Sequence, residues 1–448
     1  YCLTLAIATV AVLAGPARWR FRSLVVLGAL VATTFLFRQL TGAFLAMGVV
    51  GYLLLEGPAD RRGAERGGAA ASRALLMLMA GVLLAYSVRV ANGSGFLLLG
   101  LWPVSLLLWG AVRCRVANRE LLGLLAGLGC GALGAAIPTL GYHVLHGSLA
   151  EWFRDCVLSA WRVESLPYVK AHSYFGIMTA AVSELRGGGA LDGIVNNLYW
   201  MLLPLMGVVN GVSLLVYLAR SPEDRRPAAA LPYIAAFYGM VSLFNQIPMY
   251  LYYALGLLVP GVLWTRTAGA PRRGSVWEPI IVAVGIVALY FHAAQPATRT
   301  LAEVVDGVRI PLVQNTRIPR TSLWLEPRVV DAYGDLVDII QRETQPDGTI
   351  FVLPNHPEVY FFAQRTNPFW FPNTSLAVQD PNALDRVLRE LAARPPALVI
   401  YAPLDRHRTA MSDEIIAFVE RRYERIATIG EFVVYRRPPP ASDRAASP

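Results

Sequence analysis

The sequence predicts a polytopic α-helical membrane protein, with about ten spans, carrying a small C-terminal α/β domain. Three observations predict it. Hydrophobic residues make up 55% of the 448 positions and charged ones only 16%, with positive mean hydropathy, an apolar share above that of soluble domains. Ten apolar segments alternate with short, arginine-rich loops, the signature of repeated membrane crossing. Beyond about residue 292 the composition shifts to interleaved helix-period and strand-period segments. The net charge of +9 rests on arginine, with Lys170 the only lysine. Spread over loops between apolar runs, this charge reads as membrane topology, and no nucleic-acid partner is expected.

The apolar segments run approximately 1–15, 23–37, 42–55, 74–90, 96–112, 121–140, 198–218, 228–246, 249–265 and 276–292. Every second loop is basic: Arg18, Arg20 and Arg22; Arg61, Arg62, Arg66 and Arg73; Arg113, Arg115 and Arg119; Arg220, Arg225 and Arg226; Arg266, Arg272 and Arg273. Ten spans place all five on one face, which the positive-inside rule makes cytoplasmic. The same parity requires 23–55 to be a hairpin rather than one long span. Its arms, about 20 Å each at 1.5 Å per residue, fall short of a roughly 30 Å hydrocarbon core and imply local thinning. Arg38 then sits at the outer tip. A guanidinium there either snorkels to the headgroups or meets an anion. Arg89 ends another span on the same outer side.

Residues 141–197 form a long outer loop. Within it Leu149, Trp152, Phe153, Cys156, Val157, Ala160 and Trp161 recur at helical spacing, with Glu151, Arg154, Asp155 and Arg162 opposite, the pattern of a helix lying in the interface. A second amphipathic piece covers about 174–186. Residues 245–253 make a further outer turn holding Gln246, Tyr250 and Tyr253. Residues 293–328 read as an irregular linker. The domain at 329–437 is expected to hold helices at 329–343, 358–363, 382–393 and 412–422. Its strands are expected at 349–353, 397–402, 424–428 and 431–436, the last two forming a hairpin about Gly430. The tail 438–448, rich in Pro and Ser, reads as disordered.

Soluble-enzyme signals are sparse. No Gly-rich phosphate loop ends in Lys-Ser/Thr, and no Cys or His pairs stand at zinc spacing. No metal site is assigned: His143, His146 and His172 read as water-facing, and His356, His407 and Asp405 as ordinary surface residues. Cys2, Cys114, Cys130 and Cys156 show no disulfide framework. Asn92-Gly93-Ser94 and Asn373-Thr374-Ser375 fit the glycosylation sequon. No Asp or Glu interrupts the middle of an apolar segment, which counts against an ion-coupled transporter. Tyr1 already lies in an apolar run, so the chain reads as starting partway through a longer protein.

The stretch Phe37-Arg38-Gln39-Leu40-Thr41-Gly42 resembles the (Lys/Arg)-Gln-x-(Thr/Gly)-Gly helix start of bacterial GT-C-type glycosyltransferases. These are relatives of protein O-mannosyltransferases and lipid A aminoarabinose transferases. Residues 357–368, Pro-Glu-Val-Tyr-Phe-Phe-Ala-Gln-Arg-Thr-Asn-Pro, resemble their soluble-domain phrase, and Glu431-Phe432-Val433-Val434-Tyr435-Arg436 their ending. The resemblance implies transfer of a sugar from a polyprenyl-phosphate donor to a glycan, lipid or protein acceptor. The setting it implies is the outer face of a bacterial inner membrane, with the C-terminal domain extracytoplasmic. It implies a catalytic carboxylate in a first outer loop, which would precede Tyr1, with Glu151 or Asp155 as fallbacks, and it leaves a divalent metal open. Arg38 and Arg89 are the expected ligands of the donor phosphate, because arginine offers a bidentate fork. Gln39, Gln246, Tyr250 and Tyr253 are the expected contacts to sugar or acceptor, the tyrosines reading equally as interfacial anchors. A non-catalytic scaffold of the same architecture and a lipid-linked glycan flippase are the alternatives.

Overall fold

The computed structural model describes residues 1–58, 68–91, 93–158, 173–186, 191–220, 229–243, 248–269, 313–318, 321, 324–371, 373–378, 380–404 and 407–438. The described residues up to 269 form one compact unit and those from 313 another.

The first unit is helical. Its helices are α1 (Cys2–Ala14), α2 (Phe21–Phe37), α3 (Gln39–Glu56), α4 (Ala70–Val90), α5 (Gly93–Arg113) and α6 (Asn118–Leu145). There follow α7 (Leu149–Phe153, continuing as a wider turn through Leu158), α8 (Tyr174–Arg186), α9 (Leu191–Arg220), α10 (Ala230–Ser242) and α11 (Pro248–Gly269). Four of them, α3 to α6, are long and apolar enough to cross a membrane, while Cys2–Ala14, Phe21–Phe37, Pro204–Arg220, Ala230–Ser242 and Ala254–Thr265 are shorter apolar stretches. The last expected span, 276–292, lies outside the described residues.

The hairpin expected at 23–55 forms, with two corrections. Its turn is a single residue, and α3 begins at Gln39 rather than Gly42, so the arms have 17 and 18 residues, not about 14. Arg38 takes an extended conformation (φ −154°, ψ 100°). Its N–H still donates to the Thr34 carbonyl (2.8 Å) and its carbonyl accepts from Gly42 N–H (3.0 Å). One residue therefore closes one helix and opens the next, with both of its own backbone groups hydrogen-bonded. Gly42 permits so tight a reversal: a Cβ there would lie 2.3 Å from the Phe35 Cα.

At the far ends of this hairpin a buried ion pair joins Arg18 to Glu56, with side chains 9% and 5% exposed. The Arg18 guanidinium also donates to the Gly15 carbonyl (2.9 Å). Removing one member of such a pair strands a charge and costs about 3–5 kcal/mol. Glu56→Ala should lower the melting temperature of the detergent-solubilised protein accordingly. A melt unchanged from wild type would show the pair to be energetically silent.

At the same end α4 meets the segment that follows α5. Ser72 Oγ donates to the Val116 carbonyl (2.9 Å), and the Arg73 guanidinium donates to the Cys114 carbonyl (3.2 Å). Tyr52 packs obliquely on Tyr233 (5.6 Å), and Tyr217 meets Trp264 edge to face (5.1 Å). Among the described residues, the ends of α1, α3, α5, α9 and α11 thus lie on one face of the bundle. Arg38 lies at the other.

The second unit is built on a four-stranded sheet in the order β3 (Ile350–Leu353), β4 (Leu398–Tyr401), β6 (Phe432–Arg436), β5 (Glu424–Ile429); β3 and β4 are parallel and the other neighbours antiparallel. Helices α12 (Pro327–Glu343) and α13 (Glu358–Ala363) pack on one face through Leu336, Ile340, Val359 and Ala363. The other face takes α15 (Pro381–Ala393) and α16 (Ala410–Glu420) through Leu384, Val387, Leu391, Ile415 and Val419. A short helix, α14 (Thr374–Ala377), precedes them. Gly430, at φ +56°, makes the β5–β6 turn where glycine is favoured. The linker expected to be irregular holds a short antiparallel pair, β1 (Val313–Gln314) with β2 (Trp324–Leu325). Arg317 between them reaches Asp331, Asp335 and Asp338 on α12 at 3.3, 2.7 and 3.1 Å. The three aspartates face one way because they stand at helical spacing.

Candidate functional site: a groove beside Arg38

The α2–α3 reversal borders an apolar groove of about 160 Å³, lined by Phe35, Gln39, Leu40, Ala43, Phe44, Met47, Val82, Leu83, Tyr86, Cys156 and Val157. Three separate stretches of sequence meet there. The hairpin supplies Phe35 to Met47, α4 supplies Val82 to Tyr86, and the turn continuing α7 supplies Cys156 and Val157. Phe44 and Tyr86 meet edge to face at 5.8 Å, joining α3 to α4. Gln39 is the polar lining residue that adjoins Arg38, and Arg38 itself is half-buried. Arg89 is exposed in the last turn of α4, one helical turn beyond Tyr86. The arrangement is an apolar slot whose lining includes one amide, Gln39. Such a lining suits a hydrocarbon chain.

No family model, curated protein or solved structure matches the chain.

Of the residues singled out from sequence, Gln39 lines the groove, Arg38 precedes it in the chain but is not a lining residue, and Arg89 lies one helical turn beyond the lining residue Tyr86. Glu151 is exposed on α7. Asp155 lies on the turn that carries Cys156, with its side chain outside the described residues, as are the side chains of Tyr250 and Tyr253 on α11; Gln246 is outside them altogether. Tyr86, Cys156 and Val157 were missed as groove residues. Their signal was present only in part: Cys156 and Val157 belong to the apolar face of the interfacial helix, but nothing local says which surface that face meets.

The start of α8 is tied to the other helices of this unit. Tyr174, fully buried, donates its hydroxyl to the Ser242 carbonyl (3.2 Å), and Ser173 hydrogen-bonds with Ser94 (3.1 Å). His143 hydrogen-bonds Ser148 (2.9 Å) and packs against Trp152 (5.6 Å). That fastens α6 to α7.

In the second unit, His356 corrects the expectation of a surface histidine. It hydrogen-bonds the Glu358 carboxylate (2.9 Å), which also accepts from the Tyr333 hydroxyl (2.7 Å), and its ring meets Phe432 edge-on at 5.1 Å. Burial pushes the Glu358 carboxyl up, but the hydrogen bonds from His356 and Tyr333 outweigh it and hold the group below the usual carboxylate range. A lowered folded-state pKa stabilises the fold above the unfolded value of about 4.3, and that contribution is lost as pH falls through the folded value. Glu358→Gln should therefore raise hydrogen exchange in α12 and β3 at neutral pH, with a loss of about 1 kcal/mol given its partial exposure. The difference from wild type should close in acid. Equal exchange at pH 7 would remove Glu358 from the stability account.

Two motif residues have structural work as well. Arg365 donates to Thr344 Oγ1 (2.7 Å) and to the Thr344 carbonyl (2.9 Å) at the end of α12. Asn373 of the sequon donates to Asn355, its oxygen accepts from Ser375 (2.7 Å), and Thr374 is buried with its hydroxyl on the Pro354 carbonyl (2.8 Å). A glycosylated Asn373 would have to break this network. Asn92 and Asp405 lie outside the described residues.

Proposed function

We propose that the chain is an integral-membrane glycosyltransferase, moving a sugar from a polyprenyl-phosphate donor to an envelope acceptor at the outer face of a bacterial inner membrane. In this reading ten spans cross the bilayer, the basic loops are cytosolic and the C-terminal unit is extracytoplasmic. The observation that carries it is the single-residue break at Arg38, which precedes the groove residue Gln39 in the chain and lies at the end of the hairpin away from the Arg18–Glu56 pair. The isoprenoid lies in the groove. Arg38, with Arg89 nearby, binds the phosphate, and Gln39 hydrogen-bonds donor or acceptor.

The transfer breaks the bond between sugar C1 and the phosphate oxygen and forms one from C1 to the acceptor oxygen. Polyprenyl phosphate leaves, and the acceptor proton passes to a base. Arg38 acts on the leaving side, where negative charge grows as the bond breaks; a preorganised cation is worth most there. Among the described residues that line the groove none carries a carboxylate, so the base is unassigned.

That same observation favours a second reading, a non-catalytic scaffold that holds the lipid without turning it over. The full chain reconstituted with polyprenyl-phosphate mannose and polyprenyl-phosphate aminoarabinose separates the two. Release of polyprenyl phosphate dependent on an acceptor supports the enzyme. Saturable binding of both lipids without release supports the scaffold, and neither binding nor release refutes both.

A further inference from the structure

We propose that the C-terminal unit carries a binding subsite for a neutral glycan, floored by Trp370. The inference stands on this unit alone and holds whether or not the membrane unit transfers sugar.

Trp370 is 57% exposed, and its ring borders a cleft. Its ring is held in place: Phe371, itself buried, meets it edge-on at 5.2 Å and stacks on Phe369 at 5.4 Å, which in turn packs on Phe351 of β3 at 4.5 Å. The exposed face opens onto a cleft shared with Asp380, Asn382, Ala383 and Arg386 of the first turns of α15. Asn382 and Arg386 stand four residues apart on one exposed side of that helix, and the Arg386 guanidinium lies over the Trp370 ring, 5.7 Å from its centre, so that a sugar stacking on that face displaces it to the rim.

A flat aromatic face edged by an amide, a guanidinium and a carboxylate matches the two surfaces of a pyranose. The ring's C–H face lies on the indole, and its hydroxyls meet donors and acceptors at the rim. The charges favour a neutral ligand. Arg386 is paired with Glu390 (2.9 Å), and Asp380 adds a further negative charge beside the cleft while accepting from Ala383 N–H (2.9 Å). The same carboxylates disfavour seating Trp370 in a bilayer, where each would have to shed its water.

Saturation-transfer NMR on the full chain in nanodiscs tests this with four neutral trisaccharides: mannotriose, maltotriose, chitotriose and xylotriose. At least one should receive saturation, strongest at its axial ring protons. Trp370→Ala should weaken that binding at least about tenfold, the equivalent of 1.4 kcal/mol, and Asn382→Ala several-fold. Both side chains are exposed, so both variants should fold. No transfer to any of the four, or transfer unchanged in Trp370→Ala, would overturn the proposal. So would a fall in the brominated-lipid quenching of total tryptophan emission in Trp370→Phe relative to wild type, since the ring would then sit in lipid.

Discussion

Arg38→Ala is expected to lower turnover of a polyprenyl-phosphate sugar by roughly 10²–10³-fold, the scale on which losing one preorganised group opposite a developing negative charge is felt. Most of the loss should fall on kcat, because the charge on the leaving phosphate grows towards the transition state. The fold should survive. The backbone of Arg38 bonds to Thr34 and Gly42 through atoms alanine retains, and the helix break needs an extended residue rather than a charged one. Arg38→Lys should recover only part of the rate, because an ammonium cannot match a bidentate guanidinium. The loss should be smaller for Arg89→Ala, whose exposed position leaves it better screened. Turnover unchanged in Arg38→Ala would remove the residue from the reaction, while a collapsed melting curve would show its role to be structural.

The second large effect concerns the seam between α2 and α6. The two helices touch backbone to backbone: a Cβ at Gly28 would lie 2.0 Å from the Leu128 carbonyl oxygen, and one at Gly131 would lie 1.8 Å from that of Val25. Gly127 faces the Leu24 side chain at 2.6 Å on the same seam. Contacts this short require glycine, since backbone atoms cannot turn aside as a flexible side chain can. Small residues at helix crossings are the means by which apolar helices pack where lipid is as greasy as leucine. Gly131→Ala should cost at least the 1–3 kcal/mol usual for overpacking, and Gly28→Ala with Gly131→Ala should leave little folded protein. Gly134→Ala, three residues along on a side with nothing within 4 Å, is the control and should be neutral. Thermal melts in detergent measure all three, and equal melts for the two single variants would contradict the packing described.

Why the hairpin could be read from sequence while the groove could not is a matter of range. The charge of Arg38 between two apolar runs and the parity of the basic loops are local or additive signals, and both point to a reversal. The edges of α8, α13 and the β5–β6 hairpin were legible for the same reason. Each has its own period, and Gly430 or a proline marks a boundary. The arms of the first hairpin were read too short because a turn was expected to need several residues, whereas Arg38 manages with one extended residue and Gly42 takes up the close approach. The linker was read as irregular because nothing near Arg317 announces three aspartates on α12. His356 looked like a surface residue because its partners, Tyr333 and Phe432, stand 23 and 76 positions away, on another helix and another strand. The groove is the extreme case. Its walls come from the hairpin, from α4 and from the outer loop, and an apolar face shows its period in the sequence but not its partner.

Cys156 allows the central claim to be tested on a native side chain, since it lines the groove opposite Gln39. With Cys2, Cys114 and Cys130 replaced by serine, a membrane-impermeant maleimide applied to intact spheroplasts should label Cys156 from outside, and polyprenyl phosphate should protect it in wild type but not in Arg38→Ala. Labelling obtained only after the membrane is opened, or labelling that polyprenyl phosphate leaves unchanged, would contradict a lipid-phosphate site on the outer face.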